Sequence, residues 1–225
     1  VERLEIRIDF PLCSLIPHFK TGIIEYKDIV VGDSPQMLKG RLQYFQESLF
    51  LDLDNQTVTD LEGIKEWRSL FKATGKDPNR YRHSAEALYR RIKKQSYLPS
   101  VNTAIDISNL YSLQCQIPIG IYDLDKLKGN ISIRIGTSED TYEGLNGRSN
   151  SLEHLILSSD DYGAFGSPFV DSARTAVTPA TQNALQLVYL RPSMDMEEAL
   201  NLLNGMSKLF FQFHGGESRI SIGGC

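Results

Sequence analysis

The stretch "FVDSARTAVTPATQNAL", residues 169–185, crowds Asp171, Ser172, Arg174, Thr175, Thr178 and Thr181 just ahead of an apolar run. A carboxylate, a guanidinium and several hydroxyls on one loop can present donors and acceptors to a small polar ligand from the rim of a sheet. A second stretch, "IPIGIYDLDKL" at 117–127, runs from apolar residues through Pro118 and Gly120 into Asp123, Asp125 and Lys126. Its two acids could be a metal site or the end of a strand. "LDLDNQTV" opens like a calcium loop at Asp52 and Asp54. Its sixth position is Thr57 rather than glycine, and its twelfth is Gly63 rather than glutamate, so the end of a helix is the better reading. His18, His83, His154 and His214 are scattered, with no pair at helical chelating spacing, and no metal or other cofactor is expected.

Several chemistries lack their signatures. The sequence has no Gly-x-Ser-x-Gly elbow, Walker loop or Gly-x-Gly-x-x-Gly turn. The net charge of -4 gives no global attraction to nucleic acid, so any such contact must be local. "RYRHSAEALYRRIKK" supplies a local patch, in which six cations, Arg80, Arg82, Arg90, Arg91, Lys93 and Lys94, face the single acid Glu86. The alternative for that patch is a solvated helix face.

These residues need elements to hold them. Alternation at 3–9 and at 22–31 reads as two strands. "PQMLKGRLQYFQESLF", "DLEGIKEWRSLFKATG" and residues 84–94 read as three helices. A fourth, of about 15 residues, follows Pro99, with Ser100 as N-cap. "IGIYD", "NISIRIG", "HLILSSD" and "NALQLVYL" are short strands, a helix starts near Asp195, and "SRISIG" is a last strand. "HGGESR" suits a tight hairpin turn. Helices and strands are grouped rather than alternating, which favours an α+β fold with a mostly antiparallel sheet flanked by helices. The 225 residues, 41% apolar and 23% charged, are read as one domain with an N-terminal part and extension at 1–97, a core at 98–190 and a closing helix and strand at 191–225. Cys13, Cys115 and Cys225, odd in number and widely spaced, are expected to be free thiols, two of them buried. With no leader pattern and no long apolar run, a cytoplasmic protein without membrane or DNA partners is the expectation.

Read together, "LPSVNTAIDISNLYSLQCQIPIGIYDLDKLKGNISIRIG", "YEGLNG" and "AVTPATQNALQL" resemble, in order and spacing, the B3/B4 editing domain of the bacterial phenylalanyl-tRNA synthetase β chain. The residues that carry the likeness are Val101, Asn102, Asp106, Asn109, Pro118, Asp123, Asp125, Lys126, Gly147, Val177, Thr181 and Asn183. "WRSLFKATGKDPNRYRHSAEALYRR" resembles the extension of free-standing relatives through Trp67, Arg68, Gly75, Tyr81, Arg82, Ser84, Glu86 and Arg91.

The resemblance implies the B3/B4-like fold and hydrolysis, in trans, of the ester joining a wrong amino acid to tRNA, without aminoacylation. The alternative is a catalytically silent module binding RNA or an amino acid, and a hydrolase of another small ester or amide is a third reading. The resemblance makes Asp123 to Lys126 the end of a strand and puts Gly120 where the synthetase carries its editing histidine, a loss expected to enlarge the site. Gly215-Gly216-Glu217 imitates a family motif but stands too late in the chain, and the aligned acid is Asp171. The implied catalytic group is Asp171, Arg174 and Thr175. Asp171 is given the substrate ammonium, and Arg174 the oxyanion. Ser172, Asn102, Gly120 and Thr178 are assigned to substrate, and Arg82, Arg90 and Arg91 to tRNA phosphates.

Overall fold

A computed structural model describes residues 4–225. Ile6–Ile8 forms β1, and Phe10–Leu15 a short helix, α1, with proline in its first turn. Lys20–Lys27 forms β2, and Gln36–Asp52, Glu62–Ala73 and Ser84–Lys93 form α2, α3 and α4. Thr103–Cys115 is α5, and Ile119–Asp123, Ile131–Ile135, Thr141–Glu143 and Ser149–Ser151 are β3 to β6. Ile156–Asp160, Gly163–Gly166 and Ala184–Val188 are β7, β8 and β9. Met196–His214 is α6 and Glu217–Gly224 is β10.

The strands make two four-stranded sheets, ordered β1-β4-β7-β8 and β10-β2-β9-β3, and a separate β5-β6 ribbon. Every pairing is antiparallel except β1 with β4. The fold is the expected α+β. All five residues of β9 are buried, because β2 and β3 flank its edges and apolar layers cover both faces. One buried hydrogen-bond chain ties this sheet to a helix: Tyr26 Oη donates to Gln186 Oε1 at 2.8 Å, and Gln186 Nε2 donates to Ser108 Oγ on α5 at 3.0 Å. The main core joins both sheets to α3 and α6 through Trp67, Phe165, Leu187 and Phe210. A second cluster, with Leu42, Ile64, Tyr89 and Leu110, fastens α2 to α5 together.

Three local expectations change. The cap of α5 is Asn102, whose Oδ1 accepts from the backbone N–H of Ile105 at 2.9 Å, while Ser100 instead donates to the Asp106 carboxylate. Gly215 and Gly216, both at positive φ, end α6 and turn it into β10, so they join a helix to a strand rather than close a hairpin. Cys13 and Cys225 are disulfide-bonded, with Cα atoms 5.3 Å apart, which leaves Cys115 as the free thiol. Sequence distance concealed this pairing. β10 runs back along β2 as far as Lys20, and the Cys225 N–H reaches the Phe19 carbonyl at 3.1 Å, so the chain's end lies beside the segment carrying Cys13.

Candidate functional site

Strand alternation puts Gly120 and Tyr122 on the same face of β3. Tyr122 is buried, its ring edge-on to Phe165 of β8 at 4.8 Å, and its hydroxyl donates to Asp171 Oδ1 at 2.7 Å. The backbone N–H of Ser167 donates to the same oxygen at 3.2 Å, while Oδ2 receives no hydrogen bond among the described residues. A Cβ added at Gly120 would fall 2.1 Å from the Tyr122 hydroxyl and 3.2 Å from Asp171 Oδ2, and one at Gly166 would fall 2.2 Å from that hydroxyl. Two glycines therefore make room for one phenol. Tyr122 fills the space beside Gly120, and the expected enlargement of the site does not occur.

Burial pushes the Asp171 carboxyl up to about 7, against the opposing pull of the Tyr122 and Ser167 hydrogen bonds. The Tyr122 phenol is raised well above its ordinary value by burial and then by the neighbouring carboxylate, so it stays a neutral donor. Asp171 is held by backbone contacts to a segment distant in sequence: its carbonyl accepts from the Leu145 N–H, and Ser172 forms an isolated bridge with Gly144 at the foot of the β5-β6 ribbon.

The structure brings some of the anticipated residues together and separates others. Ser172 is buried and its Oγ accepts from the Arg174 N–H, capping a 3-10 turn at Ala173–Thr175. Thr175 is fully buried, and its hydroxyl finds no partner among the described residues. Arg174 reaches away to Asp160, at 2.8 Å, and its guanidinium lies 5.4 Å from the centre of the Tyr162 ring. Thr178 accepts from Ala180 in a turn, and Thr181 donates to Asp123, which with the 3-10 turn at Leu124–Lys126 places "DLDK" at a strand end. Asn102 is a buried helix cap on α5.

Arg90 sits on α4 and Arg82 just before it, and both turn toward Glu86, at 2.9 and 4.0 Å. Arg91 donates to the carbonyls of Ser96 and Tyr97. The basic helix is nevertheless tied to the Asp171 loop, because the Ser84 N–H donates to the Pro168 carbonyl at 2.7 Å and Tyr81 meets Phe169 edge-on at 5.7 Å.

A cleft of about 620 Å³ runs past Ser172, Ala173 and Arg174, with Tyr142, Tyr162 and Glu143 among its walls, and Asp171 stands outside its lining. Tyr122, Tyr142, Asp160 and Ser167 were not singled out from sequence. The i, i+2 spacing of Gly120 and Tyr122 was the available signal. Among the described residues no group of three or more His, Cys, Asp or Glu could hold a metal ion, and no helix is long and apolar enough to cross a membrane.

Comparison with known proteins fits this architecture. The family described as the B3/4 domain matches residues 66–211. "Uncharacterized protein YhzB" of Bacillus subtilis (strain 168) is 32% identical over 213 residues, which cover 95% of this chain and 96% of that protein. The phenylalanine–tRNA ligase beta subunit of Neisseria meningitidis serogroup A is 31% identical over 104 residues, 45% of this chain but 13% of that subunit. An N-terminal fragment of the phenylalanyl-tRNA synthetase β-subunit from Pyrococcus horikoshii superposes with a TM-score of 0.50 at 16% identity, covering 97% of this chain and 51% of that one, a likeness of fold. The matched span takes in the tyrosine-backed carboxyl, its glycines and the basic helix, and the chain belongs to the B3/4 domain family.

Proposed function

We propose that this chain hydrolyses mischarged aminoacyl-tRNA in trans. The observation that carries the reading is Asp171, a carboxyl raised to about 7 with one oxygen held by Tyr122 and the other unpaired, on a loop bonded to a basic helix. A group of that acidity can take and return a proton near neutrality, which suits Asp171 better to carrying protons than to pairing permanently with an ammonium.

In the reaction, water attacks the ester carbonyl carbon and its proton passes to Asp171 Oδ2. The tetrahedral intermediate then breaks its bond to the ribose oxygen, which takes that proton back. Backbone N–H groups of the loop serve the oxyanion, since Arg174 is engaged by Asp160 and the Thr175 hydroxyl is fully buried. Arg82, Arg90 and Arg91 serve phosphates, which makes binding fall as salt rises.

The same engagement of Arg174, and a cleft that Asp171 does not line, favour the second reading, a silent RNA-binding module. Single-turnover release of amino acid from Tyr-tRNA(Phe) and a panel of other mischarged tRNAs separates the two. The expected result is release by the intact protein, slowed about 10²- to 10³-fold in Asp171→Asn. No release from any substrate, with tRNA still bound, would establish the silent module.

A further inference from the structure

A second cleft, of about 510 Å³, opens where the start of α3, the end of α5 and the start of α6 meet. It shares no lining residue with the cleft beside Ser172. Arg191, immediately beyond β9, reaches into its wall. The side chain is only 21% exposed, and the nearest carboxylate oxygen, on Glu198, is 3.9 Å away. Its Nε is buried without a partner, and the guanidinium makes no hydrogen bond among the described residues.

A guanidinium offers five donors in a planar fork; here the buried Nε–H is unmatched, which is unfavourable, and the part-exposed terminal N–H groups are free to meet a ligand. A carboxylate is the group that fits this fork, through two parallel hydrogen bonds.

The rest of the lining narrows the ligand. Asp60, Glu62 and Glu198 put three acids around the cleft, which disfavours a phosphate dianion and favours a positive group carried next to the carboxylate. Leu61, Met194 and Leu202 supply an apolar wall. The volume lies within the range of small-molecule sites.

We propose that this cleft binds a free α-amino acid with an apolar side chain. The carboxylate is held by Arg191, the ammonium faces the acidic side chains, and the side chain lies against Leu61, Met194 and Leu202. The site is independent of Asp171, and its occupancy does not require that the protein hydrolyse anything.

Cys115, the free thiol, also lines the cleft, and burial pushes it up to about 11, so it is a slow-reacting reporter rather than a nucleophile.

The test titrates the full chain calorimetrically with L-leucine, L-methionine and L-phenylalanine. Two truncated probes accompany them: 4-methylpentanoate, which lacks the ammonium, and isopentylamine, which lacks the carboxylate. At least one amino acid should bind and slow Cys115 alkylation in the unmodified protein several-fold. 4-Methylpentanoate should bind more weakly, and isopentylamine should not bind. Arg191→Met should weaken the amino acid about tenfold or more. Asp171→Asn should leave the affinity unchanged while slowing ester hydrolysis about 10²- to 10³-fold, which keeps failure of this inference distinct from failure of the proposed activity. Absence of Cys115 protection by all three amino acids would overturn the assignment, as would isopentylamine binding as tightly as the best of them.

Discussion

Tyr122 and Asp171 form the pair on which the chemistry of the site turns, and both respond to single substitutions. The Asp171 carboxyl stands at about 7 in the folded protein against an ordinary 3.8, so the native state holds that proton more tightly than the unfolded chain does. The associated stability is fully present below about pH 4, is lost as pH rises through about 7, and stays lost above it. Asp171→Asn, which cannot ionise, should therefore match the parent near pH 4 and become progressively more stable than it toward pH 7, as followed by urea midpoints across that range. An unchanged gap would mean that Asp171 is not buried as described.

Gly120→Ala drives a Cβ to 2.1 Å from the Tyr122 hydroxyl and should destabilise by about 1–3 kcal/mol. Tyr122→Phe should recover part of that loss when the two are combined, because it deletes the closest atom, and a double-mutant cycle reads the recovery. The family resemblance marked Gly120 as informative. What it left hidden was the phenol two residues on, since a vacancy in a motif does not say which neighbour moves into it.

At the scale of elements, α4 is set by its buried acid. The Glu86 side chain is fully buried and draws Arg68 and Arg90 to 2.9 Å and Arg82 to 4.0 Å, while His83 caps the helix by accepting the Glu86 N–H and meets the Ile64 carbonyl through its other nitrogen. Burial lowers His83 to about 4, so the ring is neutral, with Nδ1 the acceptor and Nε2 the donor. Glu86→Ala should destabilise by about 3 kcal/mol, because it strands a mostly buried Arg68. Arg82→Ala should cost less than about 1 kcal/mol, and thermal denaturation distinguishes the two.

The long periodic helices and apolar strands were legible, and α6 begins one residue after the acid proposed to start it. The strands β5, β6 and β8 were not, since Thr-Tyr-Glu, Ser-Asn-Ser and Gly-Ala-Phe-Gly carry little period of their own; β5 and β6 become strands only by pairing with each other, and β8 by pairing with β7. Those elements border the site, which is why its walls were harder to anticipate than its loop.

For the whole molecule, the disulfide between Cys13 and Cys225 spans a sequence separation of 212 residues. Closing so long a loop in the unfolded chain corresponds, in the chain-entropy view, to about 5 kcal/mol of stability. Reduction, or Cys13→Ser, should lower the urea midpoint accordingly, and an unchanged midpoint would show that the bond does not form in solution. Such bonds persist in oxidising surroundings and are reduced where thiol reductants prevail.

The bond also decides how the protein carries a load. Pulled between residue 4 and residue 225, tension runs along β1 and the start of α1, crosses the sulfur bridge and leaves by the last residue. Beyond the β1–β4 pairing, which resists the shear, the remaining strands, every longer helix and the whole Asp171 site lie inside the bypassed ring, off the covalent path of the load. In an optical trap the oxidised protein should lengthen only by the few residues ahead of the bridge, as β1 shears from β4, and a reducing buffer should release the full contour of the chain.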